Sequence, residues 1–167
     1  MKMRSKFLFL SLVVVVLVSF FPSISVFAEG VDKWVDKAPL SKARKYHQVA
    51  TINGKIYVLG GSNDSSASLN SVEEYDPLTN IWTAKASMLN GRKSFKVAVM
   101  NNKIYAVGGY NSASGSLNTV EEYDPLTNIW KMKAPMAIKR YSHKVAVVGN
   151  KIYAIGGISS SNLTSVE

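Results

Sequence analysis

Residues Asn53 to Trp82 read NGKIYVLGGSNDSSASLNSVEEYDPLTNIW, and residues Asn101 to Trp130 read NNKIYAVGGYNSASGSLNTVEEYDPLTNIW. The two stretches lie 48 residues apart and agree at 22 of 30 positions. Chance does not produce such agreement, so the chain carries a duplicated unit, and the unit decides the fold before any single residue does. The register extends outward in both directions. Gly60-Gly61 recurs as Gly108-Gly109 and Gly156-Gly157, Tyr57 as Tyr105 and Tyr153, and Arg44 as Arg92 and Arg140. Trp34 precedes Trp82 and Trp130 at the same interval.

Each unit resolves into four short runs separated by turn signals. Run a is Tyr46 to Ile52, and Asn53-Gly54 follows it. Both turn residues tolerate positive φ, the requirement of a two-residue hairpin, and Asn101-Asn102 and Gly149-Asn150 keep that chemistry in the later units. Run b, Lys55 to Leu59, is apolar at successive positions, so both of its faces must be covered. Gly60-Gly61 ends it. Run c is Val72 to Tyr75, Asp76-Pro77 opens the next turn, and run d is Ile81 to Thr83. The fold class is all-β, with four strands per unit. A four-stranded unit with two apolar faces is covered only by stacking on copies of itself, which is the logic of a propeller.

The pattern of Gly-Gly after an apolar strand, then Tyr75 and Trp82, with Arg44 ahead of the first strand, resembles the kelch repeat. It returns as Gly108, Gly109, Tyr123, Trp130 and Arg92, and in part as Gly156, Gly157 and Arg140. The resemblance covers Trp34 to Glu167 and implies an incomplete kelch-type β-propeller of about two and a half four-stranded blades. The repeats run over about 43–90, 91–138 and, incomplete, 139–167.

Composition agrees with a folded chain. Of 167 residues 47% are apolar and 19% charged. Cysteine is absent, which excludes disulfides, thiolate metal sites and a cysteine nucleophile. Residues 1–28 read as a signal peptide. Lys2, Arg4 and Lys6 precede the apolar run Phe7 to Phe21, and Val26-Phe27-Ala28 offers a cleavage site before Glu29. The run is short for a membrane span, so the expected product, residues 29–167, is secreted with no stable membrane anchor. A secreted chain without cysteine fits a bacterial export. The formal charge of +9 falls to +6 after cleavage. The basic residues are scattered, without a cluster or stacking platform, so nucleic acid is not an expected partner.

The strands do not close a ring. A d run around Trp34, two full units, runs a and b of a third, and Val166-Glu167 beginning its run c make up the count. The chain reads as the N-terminal part of a longer propeller. The alternative is a head-to-tail homodimer in which the Trp34 run of each chain completes the other's third unit and closes a six-bladed ring.

A meander places the a–b and c–d turns on one rim and the longer b–c and d–a connections on the other. In kelch propellers the loop-bearing rim commonly binds the partner, and the resemblance carries that expectation here. Arg44, Arg92 and Arg140 would repeat around the channel mouth as a guanidinium ring suited to carboxylates on acidic peptides or sugars. Their structural reading is that they cap strands and meet solvent or a neighbouring blade. Tyr46 stands beside them, and Asn63, Asp64, Tyr110 and Asn111, in loops that differ between units, are candidates for specificity. His47, Phe95 and His143 share one register, which marks a packing position. No metal, cofactor or catalytic residue is expected. The function expected is a binding or scaffolding module for a protein or glycan ligand. The alternative is a fragment of a sugar-acting kelch enzyme such as a sialic acid mutarotase. A galactose oxidase is excluded, because its cysteine cross-link needs a cysteine.

Overall fold

The computed structural model describes residues 33–167. The expected signal peptide lies outside the described residues. Residues Asp36–Glu167 form one compact unit built only of strands and turns. The first blade is the meander β1 (Gln48–Ile52), β2 (Lys55–Leu59), β3 (Val72–Asp76) and β4 (Ile81–Lys85). The second is β5 (Lys96–Met100), β6 (Lys103–Asn111), β7 (Gly115–Asp124) and β8 (Ile129–Lys133). The third holds β9 (Lys144–Val148) and β10 (Lys151–Ile155), with Val166 bridged to Ile155 as the start of a third strand. All pairings are antiparallel.

The turns obey the residues that make them. Asn53 and Gly54 both have positive φ (51° and 72°), as do Asn101 and Asn102, and Gly149 and Asn150. This is the mirror-image turn whose twist matches that of the flanking strands. In the c–d turn the Asp76 carboxylate accepts the Leu78 N–H at 2.9 Å, and its carbonyl accepts the N–H of Asn80 at 2.9 Å. Asp124, Leu126 and Asn128 repeat both bonds.

β6 shows why the runs b are apolar throughout. Ile104 and Ala106 face the first blade, in a core with Tyr57, Leu59, Val72, Met88, Phe95 and Tyr123. Tyr105 and Val107 face the third, with Ala98, Met136 and Ala154. Alternate residues of one strand thus serve two cores. The Gly-Gly pairs let the blades meet. Gly108 has φ +57°, and a Cβ there would stand 2.6 Å from the Arg140 carbonyl oxygen of the next blade. The Gly109 N–H donates to that same oxygen at 2.8 Å. The motif aromatics bind the preceding connection. Trp82 Nε1 donates to the Ala38 carbonyl at 2.7 Å and Trp130 Nε1 to that of Ala86 at 2.9 Å. Asn80 receives the hydroxyl of Tyr75 and the N–H of Ala38. Tyr123 donates likewise to Asn128.

The expected strand around Trp34 does not form. Residues 33–40 hold no strand, and Trp34 is fully exposed. A d strand needs a c strand beside it, and β3 already pairs with β4.

Candidate functional site

The innermost strands β1, β5 and β9 approach one another across the blades. They define the axis, and the b–c and d–a connections rise around one end of it. Arg44, Arg92 and Arg140 lie at that end, but not as a solvent-facing ring. Their side chains have no exposed surface. Each guanidinium is paired with a run-c glutamate of its own blade: Arg44 with Glu73, Arg92 with Glu121, Arg140 with Glu167. Arg92 also donates to the carbonyls of Gly108 (2.8 Å) and Thr119 (3.2 Å), and Arg140 to those of Gly156 (2.9 Å) and Ser165 (3.2 Å). The glutamates hold the d–a connection in turn. Glu121 accepts the N–H groups of Leu89 (2.7 Å) and Asn90 (3.1 Å). The arginine ring is therefore framework. Its terminal guanidinium nitrogens are committed within the fold, the buried Nε atoms alone finding no acceptor, and a buried cation without its carboxylate would be costly.

The loop residues divide. Asn63 and Asn111 use their side chains to shape turns. Asn63 Oδ1 accepts the N–H groups of Ser65 (3.1 Å) and Ser66 (2.7 Å), and Asn111 Oδ1 those of Ala113 (2.9 Å) and Ser114 (3.1 Å). Tyr110 and Asn111 belong to β6 rather than to a loop, because β6 and β7 continue past a bulge at Gly108 to a hairpin pairing Asn111 with Gly115. Asp64 is exposed beside a cavity of about 230 Å³ between Ala43–Lys45 and Ser62–Asp64. Tyr110 stacks edge-on against Tyr141 at 5.6 Å, with the Lys93 ammonium 5.7 Å from its ring centre. The b–c connections of the first two blades join into one surface: the Ser112 N–H donates to Ser68 Oγ at 2.9 Å, and Ser112 Oγ to the Ala67 carbonyl at 3.1 Å.

Tyr46 is exposed, and it holds φ +59°. Ser94 and Ser142, one and two repeats later, hold φ 52° and 53°. The left-handed residue ends the connection and starts the inner strand. It also carries a blade-to-blade contact, since the Ser94 N–H donates to the Tyr46 carbonyl (3.1 Å) and the Ser142 N–H to the Ser94 carbonyl (2.8 Å). Two residues further on, Gln48, Lys96 and Lys144 share a register. Together the six side chains line an axial trough of about 270 Å³. The sequence reading did not single out Gln48, Lys96 or Lys144. Their signal was present, a polar residue at one register of the innermost strand in all three units.

Two further groups bear on the electrostatics. His143 occupies the position that Phe95 fills in the second blade, and is buried there. Burial, then the charges of Arg140 and Lys96, lower its pKa to about 4, so it is neutral at pH 7. Glu122 accepts the Tyr105 hydroxyl at 2.7 Å between Lys103 (3.1 Å) and Lys133 (3.3 Å). Burial pushes its pKa up, but those donors outweigh it and bring it to about 2. Among the described residues no group of acids and histidines is placed to hold a metal ion.

With this geometry in hand, the comparisons with known proteins agree on one architecture. The family model of the KLHDC2/KLHL20/DRC7 Kelch-repeats domain matches residues 31–157. Kelch-like protein 33 of Homo sapiens is 42% identical over 50 residues, 30% of this chain and 9% of that protein. Beta-scruin of Limulus polyphemus is 41% identical over 46 residues, 28% of this chain and 5% of that protein. The solved structure of YjhT superposes with a TM-score of 0.67 over 77% of this chain and 50% of its own, at 22% identity. The chain thus spans less than a tenth of these curated relatives and half of the solved one. With the family model covering most of its length, and Gly-Gly, Tyr, Trp and buried Arg in their repeated places, the chain belongs to the kelch-repeat family.

Proposed function

We propose that the chain is a non-catalytic binding module that takes its ligand, a protein or a glycan, on the rim formed by the b–c and d–a connections. The carrying observation is the join between Ser112 and Ser68, which makes the blade-specific connections of two repeats one surface on a rigid framework. Kelch repeats commonly mediate protein binding, which favours a protein over a glycan. The opposite rim offers only tight turns, with Leu78 and Leu126 standing exposed and singly. Export of residues 29–167 belongs to the same reading and predicts a secreted product beginning at Glu29.

The test is capture of surface proteins and glycans of the host by the immobilised chain. Capture abolished by Asp64→Lys with Ser112→Arg, and kept by Leu78→Asp with Leu126→Asp, supports the reading. The reverse pattern overturns it.

A further inference from the structure

Four outer-strand lysines of the first two blades are answered by acids, whereas Lys131 and Lys151 have no carboxylate partner among the described residues. Lys55 pairs with Asp76 and Glu74, Lys85 with Glu74, Lys103 with Glu122 and Asp124, and Lys133 with Glu122. The two lysines of the axial trough differ in lying together at one cavity. Among the described residues neither Lys96 nor Lys144 pairs with a carboxylate, and the one contact of Lys96 Nζ is a long 3.5 Å approach to Gln48 Oε1. Lys96 is half-buried, and burial, then the neighbouring charge of Lys144, lowers its pKa. The fold thus leaves two like charges together at one cavity with no acid between them. That arrangement is unfavourable until an anion enters it.

We propose that the axial trough binds a divalent tetrahedral oxyanion, phosphate or a phosphate monoester, between Lys96 and Lys144 with the hydroxyls of Ser94 and Ser142. The charge count sets the class: two ammonium groups are neutralised by one dianion and not by one carboxylate. The geometry supports it as well. The donors come from two blades and two levels, hydroxyls at Ser94 and Ser142 and ammonium groups two residues further along, and so approach the trough from more than one direction. A planar carboxylate presents two oxygens in one plane, whereas a tetrahedral anion presents oxygens in every direction from which donors arrive. Lysine serves such an anion as a point charge without demanding a fixed plane. The left-handed backbone at Ser94 and Ser142 is pinned by the blade-to-blade bonds, so the backbone that carries the hydroxyls is fixed before the ligand arrives. The trough opens where the d–a connections end, but Lys96 and Lys144 lie in β5 and β9 and are not among the residues that test the partner surface, so the two readings can fail separately.

The experiment is a calorimetric titration of the protein expressed from the full 167-residue sequence with inorganic phosphate, repeated with sulfate and with acetate. Saturable phosphate binding is expected, with sulfate close behind and acetate at least about tenfold weaker. Lys96→Gln with Lys144→Gln should weaken phosphate at least about tenfold, the loss of two charge-assisted contacts. Relief of like-charge repulsion should leave the melting temperature of that variant unlowered in phosphate-free buffer, which separates lost binding from lost folding. Phosphate also should raise the melting temperature of the parent and not of the variant. Absence of saturable phosphate binding, binding unchanged in the double variant, or acetate binding as tightly as phosphate would each overturn the assignment.

Discussion

The Arg92 guanidinium and the Glu121 carboxylate form an ion pair in which neither side chain keeps any exposed surface. Arg92 sits ahead of the innermost strand β5, and Glu121 lies in β7, two strands out. Together with the Leu89 and Asn90 N–H groups on the carboxylate, the pair fixes the connection that enters the blade. Removing one partner strands the other in the interior. Arg92→Met should therefore cost about 3–5 kcal/mol of unfolding free energy, read from the denaturant midpoint, and Arg92→Lys should recover part of that loss. A variant as stable as the parent would show that the pair is not needed for the blade.

Gly108 and Gly149 both hold positive φ, but only Gly108 lies against another blade. Gly149→Ala meets no atom within 4 Å and pays only for its backbone conformation, about 1 kcal/mol. Gly108→Ala adds a clash with the Arg140 carbonyl and should lower stability by several-fold more. Equal melting temperatures for the two variants would refute the interface role of the Gly-Gly pair.

His143 supplies a titration with a definite sign. Its folded pKa, about 4, lies below the ordinary histidine value of 6.5. Between those values the unfolded chain takes up a proton that the folded chain refuses, so stability falls as pH drops from 6.5 towards 4 and is flat below. His143→Phe, which places the Phe95 solution in the third blade, should remove this slope and add about 2–3 kcal/mol at pH 4. The check is the melting temperature of both proteins across that range.

Glu122 gives a window of its own. Its folded pKa of about 2 is below the ordinary glutamate value of 4.5, so its contribution is complete above pH 4.5 and is lost as pH falls towards 2. Glu122→Gln should flatten that limb of the acid unfolding curve, followed by tyrosine fluorescence. An unchanged limb would place the acid sensitivity elsewhere.

The elements legible in the sequence are those fixed by local chemistry. Asn53-Gly54 and its equivalents could only be tight hairpin turns, and run b, apolar at every step, could only lie between two cores. What sequence left ambiguous was the role of the repeated arginines. A framework residue and a ligand-binding residue recur in the same way, and the deciding fact is a partner 29 residues away, Glu73 for Arg44 and Glu121 for Arg92. Tyr110 and Asn111 looked like loop residues because Gly108-Gly109 reads as a strand end. In the second blade the chain bulges there and resumes pairing. Lys96 and Lys144 do not stand out in the sequence because their distinction is to line one cavity together without an acid between them, a property of packing and not of spacing.

The blade-to-blade bonds between Tyr46 and Ser94, and between Ser94 and Ser142, join the same register position in successive units. Each unit offers its neighbour one carbonyl and receives one N–H, and the Gly-Gly contact repeats on the same terms. A gene can therefore gain or lose a whole 48-residue unit with every such contact regenerated at the new junction, while a shift inside a strand destroys several at once. The tolerated exception is visible in the third unit. Glu167 follows Glu121 by 46 residues instead of 48, and still reaches its arginine, because the missing two residues are taken from a connection that no register contact measures. The contacts of this chain thus favour change in length by whole units, and admit variation where the chain turns between β-strands.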